Sequence, residues 1–262
     1  MKRYLRLYLY FLRFSFSKAL EFRIDFGFRI IMDVIYYAVN ILFFKVIYLH
    51  TPFIAGWRED EIMVFVASYL LIDAIIMTVF SANMWWLPFY INRGDLDFYL
   101  IRPVKPLFFL SLRDFSASSF VNLIIAIGFF AYSLITFRGV ITPLDLFFYV
   151  LLILNGVLLC YVLQMLMIIP VFWTHSRRGF IDLFYSMSLA LERPHQIYQG
   201  WMKVLFTSVL PFALIASFPA TLFFRGWNVT DLIHLMVITI LAWVIMLFFW
   251  NVGLKSYSSA SS

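Results

Sequence analysis

Charged residues are scarce in this chain, and their scarcity excludes an ordinary soluble protein. Asp, Glu, Lys and Arg make up 13% of its 262 residues, whereas hydrophobic residues make up 64%. A soluble globular domain carries roughly 25% charged residues. The mean hydropathy is +0.92, and several apolar runs approach the roughly 20 residues that a helix needs to cross a bilayer. The composition therefore predicts an all-α polytopic membrane protein.

The chain also lacks the residue patterns of a catalytic or nucleotide-binding protein. Its one cysteine, Cys160, excludes an intrachain disulfide. No glycine precedes a lysine, so there is no P-loop to hold the phosphates of ATP. The four histidines are scattered, and neither H-E-x-x-H nor G-x-S-x-G occurs. We therefore expect no catalytic residue, no metal site and no cofactor.

The apolar runs predict six transmembrane helices behind a basic N-terminal segment. Residues 1–26 interleave basic and apolar residues and predict an amphipathic helix in the headgroup region, retained rather than cleaved as a signal peptide. Its apolar stripe comprises Leu5, Leu9, Leu12 and Phe16. The first four spans and the last are expected at 28–48, 62–84, 107–137, 146–172 and 232–251. The third run is long enough for its first part to be tilted or to lie outside the hydrocarbon core, and the tail 256–262 is expected to be disordered.

The position of the fifth span stays open. One candidate is 180–192, which is short and polar, and the other is 203–224, which Pro211 and Pro219 interrupt. The piece that does not span is then re-entrant or interfacial, and a broken helix at that depth needs protein or a cavity to cover it. Under both choices Lys and Arg are more abundant on the side of the N-terminus, so both termini are expected in the cytoplasm.

A polar segment, residues 91–106, separates the second and third spans and lies on the predicted cytoplasmic side. Gly94 can adopt a positive φ, and Asp95 is a good helix N-cap. Apolar residues at helical spacing and two prolines follow: Leu96, Tyr99, Leu100, Pro103 and Pro106. The pattern predicts a helix of one to two turns that another protein could bind. The alternative is a plain turn at the membrane surface.

Four aspartates in or near the predicted spans are candidate functional groups, because a charge in the bilayer is costly. Asp33, Asp114 and Asp182 lie near predicted cytoplasmic ends, where they can reach the surface or pair with a neighbouring arginine. Asp73 lies closest to a bilayer centre and is the candidate intramembrane polar site. For Asp73 an interhelical hydrogen bond is the alternative to a role in transport.

The segment between the second and third spans resembles the cytoplasmic-loop signature G-[DE]-L-D…L-[IL]-R-P of a group of ABC-2-type permeases. Here it reads Gly94-Asp95-Leu96-Asp97 and Leu100-Ile101-Arg102-Pro103. Near the last span, Leu210-Pro211 and Phe218-Pro219-Ala220 are similar to that family's L-P…P pattern. The resemblance extends over nearly the whole chain.

The resemblance implies that residues 1–262 form a single permease domain of an ATP-driven exporter in the cytoplasmic (inner) membrane. A separate cytoplasmic subunit would bind ATP and dock on the loop between spans two and three. The second permease subunit would be either a similar non-identical chain or a second copy, and no nucleic-acid partner is expected. The ATPase-coupling residues it implies are Gly94, Asp95, Leu96, Asp97, Tyr99, Leu100, Arg102 and Pro103.

The same resemblance favours 180–192 as the fifth span and 203–224 as a re-entrant hairpin on the outer side. Two other classes compete with the permease. A membrane-embedded enzyme should show carboxylate, His or Ser side chains clustered at one depth, and the sequence shows no such cluster. A non-transporting scaffold would explain the spans but not the short cytoplasmic helix.

Overall fold

The computed structural model describes residues 2–21, 23–176, 178–226 and 228–257, and these residues are almost entirely helical. Helices long and apolar enough to cross a membrane are Phe26–Tyr48, Glu59–Arg93, Ala117–Thr136, Pro143–Thr174 and Val229–Ser256. A bent pair, Gly200–Val209 and Leu214–Arg225, is a further candidate, and its two arms meet at 97°. The predicted all-α polytopic class is confirmed.

The α-helices are numbered in chain order. The first are α1 (Lys2–Glu21), α2 (Arg23–Tyr48), α3 (Glu59–Ile76), α4 (Ala82–Arg93), α5 (Asp97–Leu100), α6 (Pro106–Leu112) and α7 (Ala117–Thr136). They are followed by α8 (Pro143–Ile168), α9 (Val171–Thr174), α10 (Arg178–Ser188), α11 (Gly200–Val204), α12 (Leu214–Arg225) and α13 (Val229–Ser256). A π-helical turn, Met77–Ser81, joins α3 to α4, so that together they form one long helix.

α1 packs on α6 with one face, and its predicted apolar stripe is only partly exposed, because Leu12 is half-buried and the Phe16 ring contacts the Phe120 ring of α7. The rings of Phe11 in α1 and Phe109 in α6 meet edge to face, with centroids 5.2 Å apart. Leu5 and Leu9 of the stripe are exposed. An exposed apolar stripe on a basic helix is what an interfacial helix presents to lipid.

Acidic residues begin α3, the central helix of the bundle. The Glu61 carboxylate accepts a hydrogen bond from the Arg58 backbone nitrogen at 2.8 Å, which forms half of a capping box. Glu59 and Asp60 place further negative charge beside the free amides of the first turn, where the helix dipole favours it. α3 then packs against α2, α7, α8 and α12, and most of it is buried.

The second crossing is longer than the predicted 62–84. Its helix begins at Glu59 and continues past Pro88 to Arg93. Beyond the apolar run, α4 packs on α6, α8 and α9, so protein contacts replace lipid contacts and keep the chain helical. The loop expected to begin at residue 91 therefore begins at Gly94.

The predicted third span, 107–137, is broken into α6 and α7. Asn83 holds the break, because its Nδ2 donates to the Asp114 carbonyl at 2.7 Å and its Oδ1 accepts from the Asp114 amide at 2.8 Å. The Ser116 amide donates to the Thr78 carbonyl at 2.9 Å. Only α7 has the length of a span, and the first part of the run packs against α4 as a separate short helix.

The chain between α8 and α13 connects the two ends of the bundle. At one end, which we call the loop end because residues 94–105 lie there, Asn92 Nδ2 donates to the His175 carbonyl at 3.0 Å. At the opposite end Arg225 donates to the carbonyl of Gly56, just before α3, at 3.2 Å. Residues 175–225 therefore begin at the loop end and finish at the opposite end.

The first arm of the bent pair starts at the opposite end of the bundle, and the second arm finishes there. Lys203, in the first arm, lines a pocket together with Asp231 at the start of α13. The second arm finishes at Arg225, and the turn between the arms lies deeper, where Ile215 meets the middle of α8 at Gly156. The pair therefore has the form of a re-entrant hairpin.

The chain passes from the loop end to the opposite end through α10 and the 3-10 turns Leu189–Glu192 and His195–Ile197, and we call this stretch, residues 178–197, the crossing segment. α10 has 11 residues, which is too short for a regular span. The stretch 180–192 thus runs between the two ends, and 203–224 lies beside it as the bent pair, which by length and composition is either a broken span or a re-entrant loop.

α13 is longer than the predicted last span, 232–251. The Asn228 side chain caps its N-terminus by accepting from the Thr230 amide at 3.0 Å. Its C-terminus continues through Ser256, where Tyr257 is the C-cap. Ser256 is therefore helical rather than part of a disordered tail, and 258–262 lie outside the described residues.

Candidate functional site

The loop segment, which we define as residues 94–105, begins with a left-handed turn. Gly94 has a φ of 79° and a ψ of 3°, a conformation that favours glycine because it has no Cβ. The turn directs the chain back along α4, and the Leu96 amide donates to the Tyr90 carbonyl at 3.2 Å. The predicted positive φ at Gly94 is confirmed.

The prediction that Asp95 caps the short helix is wrong. The N-cap position of α5 is Leu96, and no side chain caps it. Leu96 is already in helical conformation, with a φ of −62° and a ψ of −28°. A capping side chain needs an extended residue before the helix, and the glycine turn leaves none here.

α5 turns the face marked by Leu96, Tyr99 and Leu100 towards its own protein. Leu96 is 0% exposed, Tyr99 is buried and Leu100 is half-buried. Phe98 and Ile101 point outwards and are 64% and 80% exposed. The helical spacing was predicted correctly, but the apolar surface available to a partner is formed by Phe98 and Ile101 rather than by Leu96 and Leu100.

Aromatic and cationic side chains hold the loop segment against α4 and α6. The Tyr99 ring lies 5.0 Å from that of Tyr90 and 5.5 Å from that of Phe109. Arg113 donates a hydrogen bond to the Tyr99 hydroxyl. The Arg102 guanidinium lies 4.9 Å from the centroid of the Phe109 ring. α5 is therefore packed directly on two helices of the bundle, α4 and α6.

The end of α13 lies against the same segment. Burial raises the pKa of the Tyr257 phenol, and the nearby carboxylates of Asp97 and Asp95 raise it further. Its ring also meets the Phe172 ring edge to face at 6.3 Å. The Tyr257 phenol therefore stays protonated, and neutral, at neutral pH beside these carboxylates.

A cavity of about 510 Å³ lies inside the bundle. It is bounded by α2, α3, α7, α8 and the crossing segment, and the candidate Asp73 lines it. No described residue donates a hydrogen bond to the Asp73 carboxylate, so the interhelical hydrogen bond considered for it is not found. Asp33 and Glu192 line the same cavity, and Asn122 Nδ2 donates to Asp33.

Glu192 and its tyrosine partners were missed by sequence reasoning. The hydroxyls of Tyr36 and Tyr69 donate to Glu192 Oε1 at 3.0 and 3.1 Å, and the two hydroxyls also contact each other. A glutamate at the end of a short apolar run suggested a surface residue. A signal that could have found the cavity is the pair Asn122 and Gln164, since each interrupts a long apolar run.

The other two aspartates lie away from the cavity. Asp114 approaches Arg113 Nε at 3.8 Å, which confirms the predicted pairing with a neighbouring arginine. Asp182 is exposed on α10. The structure thus assigns the coupling candidates to the loop end and assembles two of the four aspartates in one cavity.

Comparison with known families gives one match. A family model described as "ABC-2 family transporter protein" matches residues 34–261. The matched region contains the loop segment, the crossing segment and the re-entrant hairpin, and it leaves α1 outside. No curated protein and no solved structure matched the chain.

Proposed function

The chain belongs to the ABC-2 family of transporter proteins, and from that premise we propose that it is the transmembrane permease subunit of an ATP-driven exporter. It couples to a separate cytoplasmic subunit that binds and hydrolyses ATP. The observation that carries this proposal is the loop segment, which is anchored to α4 and α6 and exposes Phe98 and Ile101.

The exposed pair has the chemistry of a docking surface. Burying an apolar side chain of this size contributes about 1.5–3 kcal/mol. Arg93, Arg102 and Lys105 are exposed in the same stretch of the chain as Phe98 and Ile101 and carry positive charge. An apolar centre with a charged rim is the usual composition of a protein interface, and here the side chains beneath it are already packed.

The proposed partners include a second permease subunit. α2 and α13 are largely exposed along their lengths, with apolar residues such as Phe43 and Phe248 on their surfaces. Lipid and a second permease would together cover these faces. The second subunit is either another copy of this chain or a similar non-identical one, and both termini lie in the cytoplasm with the loop end.

The proposal predicts that this chain on its own hydrolyses no ATP. It has no P-loop, and so hydrolysis should appear only when a P-loop ATPase is co-purified with it. Phosphate release is measured for the isolated chain, for the complex, and for a complex whose ATPase lacks its P-loop lysine. Activity in the first or third sample would contradict the proposal.

Orientation is predicted by the same proposal and can be tested with single cysteines. Glu59→Cys and Gln199→Cys, at exposed positions of the opposite end, should react with an impermeant maleimide in intact cells. Lys105→Cys should react only after permeabilisation. The wild-type chain serves as the unlabelled control, because its one cysteine, Cys160, is buried and should not react with the maleimide.

Each position tests a different part of the topology. Labelling of Lys105→Cys in intact cells would reverse the orientation and remove the docking surface from the cytoplasm. Labelling of Gln199→Cys only after permeabilisation would mean that the 203–224 stretch, rather than the crossing segment, traverses the membrane.

A further inference from the structure

We propose that the cavity beside Asp73 binds an organic cation that carries N–H donors. The proposal rests on the permease function and names the substrate class. It is argued from the polar atoms that the cavity leaves without partners, from its charge and from its size.

Two buried amide side chains leave acceptors without donors in the cavity wall. Asn122 is 1% exposed, and it uses its Nδ2 on Asp33. Its Oδ1 accepts no hydrogen bond from any described residue. Gln164 is 9% exposed, and its Oε1 is likewise without a donor among the described residues. Buried polar atoms nearly always have partners, so these two oxygens indicate a ligand that donates hydrogen bonds.

The charge of the lining indicates the sign of that ligand. Among the residues that the structure describes, three carboxyl groups, those of Asp33, Asp73 and Glu192, line the cavity together with one guanidinium, that of Arg29. The formal charges therefore leave an excess of negative charge within the bundle. A buried charge is costly unless an opposite charge accompanies it, and a bound cation would supply that charge.

Size and geometry favour an organic cation over a metal ion. The described His, Cys, Asp and Glu residues form no group that could hold a metal. The volume of about 510 Å³ lies within the roughly 300–1,000 Å³ typical of small-molecule pockets. Tyr36, Tyr37 and Tyr69 add aromatic walls, and the face of such a ring attracts an ammonium group.

The position of Glu192 provides a way to change the cavity. It is the last residue of the 3-10 turn Leu189–Glu192, within the crossing segment and outside any long helix. Its carboxylate reaches Tyr69 of α3 by a hydrogen bond. A shift of α10 would therefore separate Glu192 from the other acidic groups and weaken the hold on a cation.

The test uses a fluorescent probe of the proposed chemistry and a neutral twin of it. Dansylcadaverine carries an aromatic group and a primary ammonium, and its N-acetyl derivative keeps the shape but loses the charge. Both are titrated against the full chain in lipid nanodiscs, with empty nanodiscs as the blank, and fluorescence anisotropy is measured. The ammonium form should bind about tenfold or more tightly than the acetylated form, since hydrogen bonds to charged groups are the stronger ones.

Variants then assign the binding to the cavity. Asp73→Asn and Glu192→Gln should each weaken binding of the ammonium probe about tenfold. Asp231→Asn, which alters a pocket beside the re-entrant hairpin, should leave it unchanged. Equal binding of both probes by the wild type, which needs no variant to fold, would overturn the proposal. Equal affinity of folded Asp73→Asn, Glu192→Gln and wild type would also overturn it.

Failure here is distinguishable from failure of the permease function. Co-purification of the ATPase depends on the loop segment and not on the cavity. If the ATPase co-purifies while the ammonium probe fails to bind, the cation site is wrong and the permease function stands. If the chain binds the probe but the ATPase does not co-purify with it, the coupling proposal is wrong and the cation site in the cavity stands.

Discussion

Replacing Phe98 and Ile101 by aspartate is expected to separate the chain from its ATPase while leaving the chain folded. The two side chains are 64% and 80% exposed, so their loss costs the isolated protein little. In a complex each buried apolar side chain contributes about 1.5–3 kcal/mol, so losing both should weaken docking about a hundredfold or more. The measurement is recovery of the ATPase on affinity-tagged chain at matched membrane expression.

Two variants serve as controls for this result. Val140→Asp changes an almost fully exposed apolar residue at the opposite end and should recover as much ATPase as wild type. Leu96→Asp places a charge at a site with 0% exposure and should lower the melting temperature of the chain itself. Equal ATPase recovery by wild type and the Phe98/Ile101 double variant would leave the loop segment as a plain surface turn.

Gly156→Val is expected to displace the re-entrant hairpin from α8. A Cβ added at Gly156 would lie 2.5 Å from the Ile215 carbonyl oxygen and 2.9 Å from Ile72 Cδ1. One of these neighbours is backbone, so no side-chain rotation relieves the clash. Overpacking a well-packed core costs about 1–3 kcal/mol and occasionally more, and transport should fall with the melting temperature.

Gly128→Ala is the matched control for this prediction. Gly128 lies within α7, and a Cβ there would meet no atom within 4 Å. Alanine in mid-helix is favoured over glycine by roughly 0.5–1 kcal/mol, so this variant should be neutral or slightly stabilised. Identical thermal unfolding of Gly156→Val and wild type in the same detergent would refute the close approach of α12 to α8.

Composition and helical spacing predicted the fold class and most of the crossings, because the length of an apolar run reflects bilayer thickness directly. These two signals failed to predict the helix bounds where a helix packs against protein rather than lipid. α4 continues to Arg93 because α6, α8 and α9 cover it. The hydropathy of the sequence does not indicate such packing between helices.

The face of α5 was unpredictable for a related reason. Its apolar residues surround the helix, and periodicity alone assigns Leu96 or Phe98 to the core equally well. Only the packing partners, such as Tyr90 and Phe109, decide which side is buried.

The cavity was the hardest feature to predict, since its residues come from distant parts of the chain. Asp33 and Glu192 share it although they belong to α2 and to the turn after α10. Asp73 was identified from its depth in an apolar run, but its neighbours were not. Sequence reasoning can indicate a costly charge, whereas tertiary structure decides which other charges lie beside it.

The helix that runs from Glu59 to Arg93 has mechanical consequences for the proposed coupling. Its 35 residues extend over roughly 50 Å, whereas the hydrocarbon core is about 30 Å thick. The π-helical turn Met77–Ser81 divides it into α3, which packs against α2, α7, α8 and α12, and α4, which packs against α6, α8 and α9 and ends at Arg93. If α4 tilted by about 10° about this turn, the loop segment would move by about 3 Å, given a rise of about 1.5 Å per residue. Met77 and Ser81 also line the cavity, so in the proposed coupling a movement of α4 driven by the ATPase would reach the place where the substrate is proposed to bind.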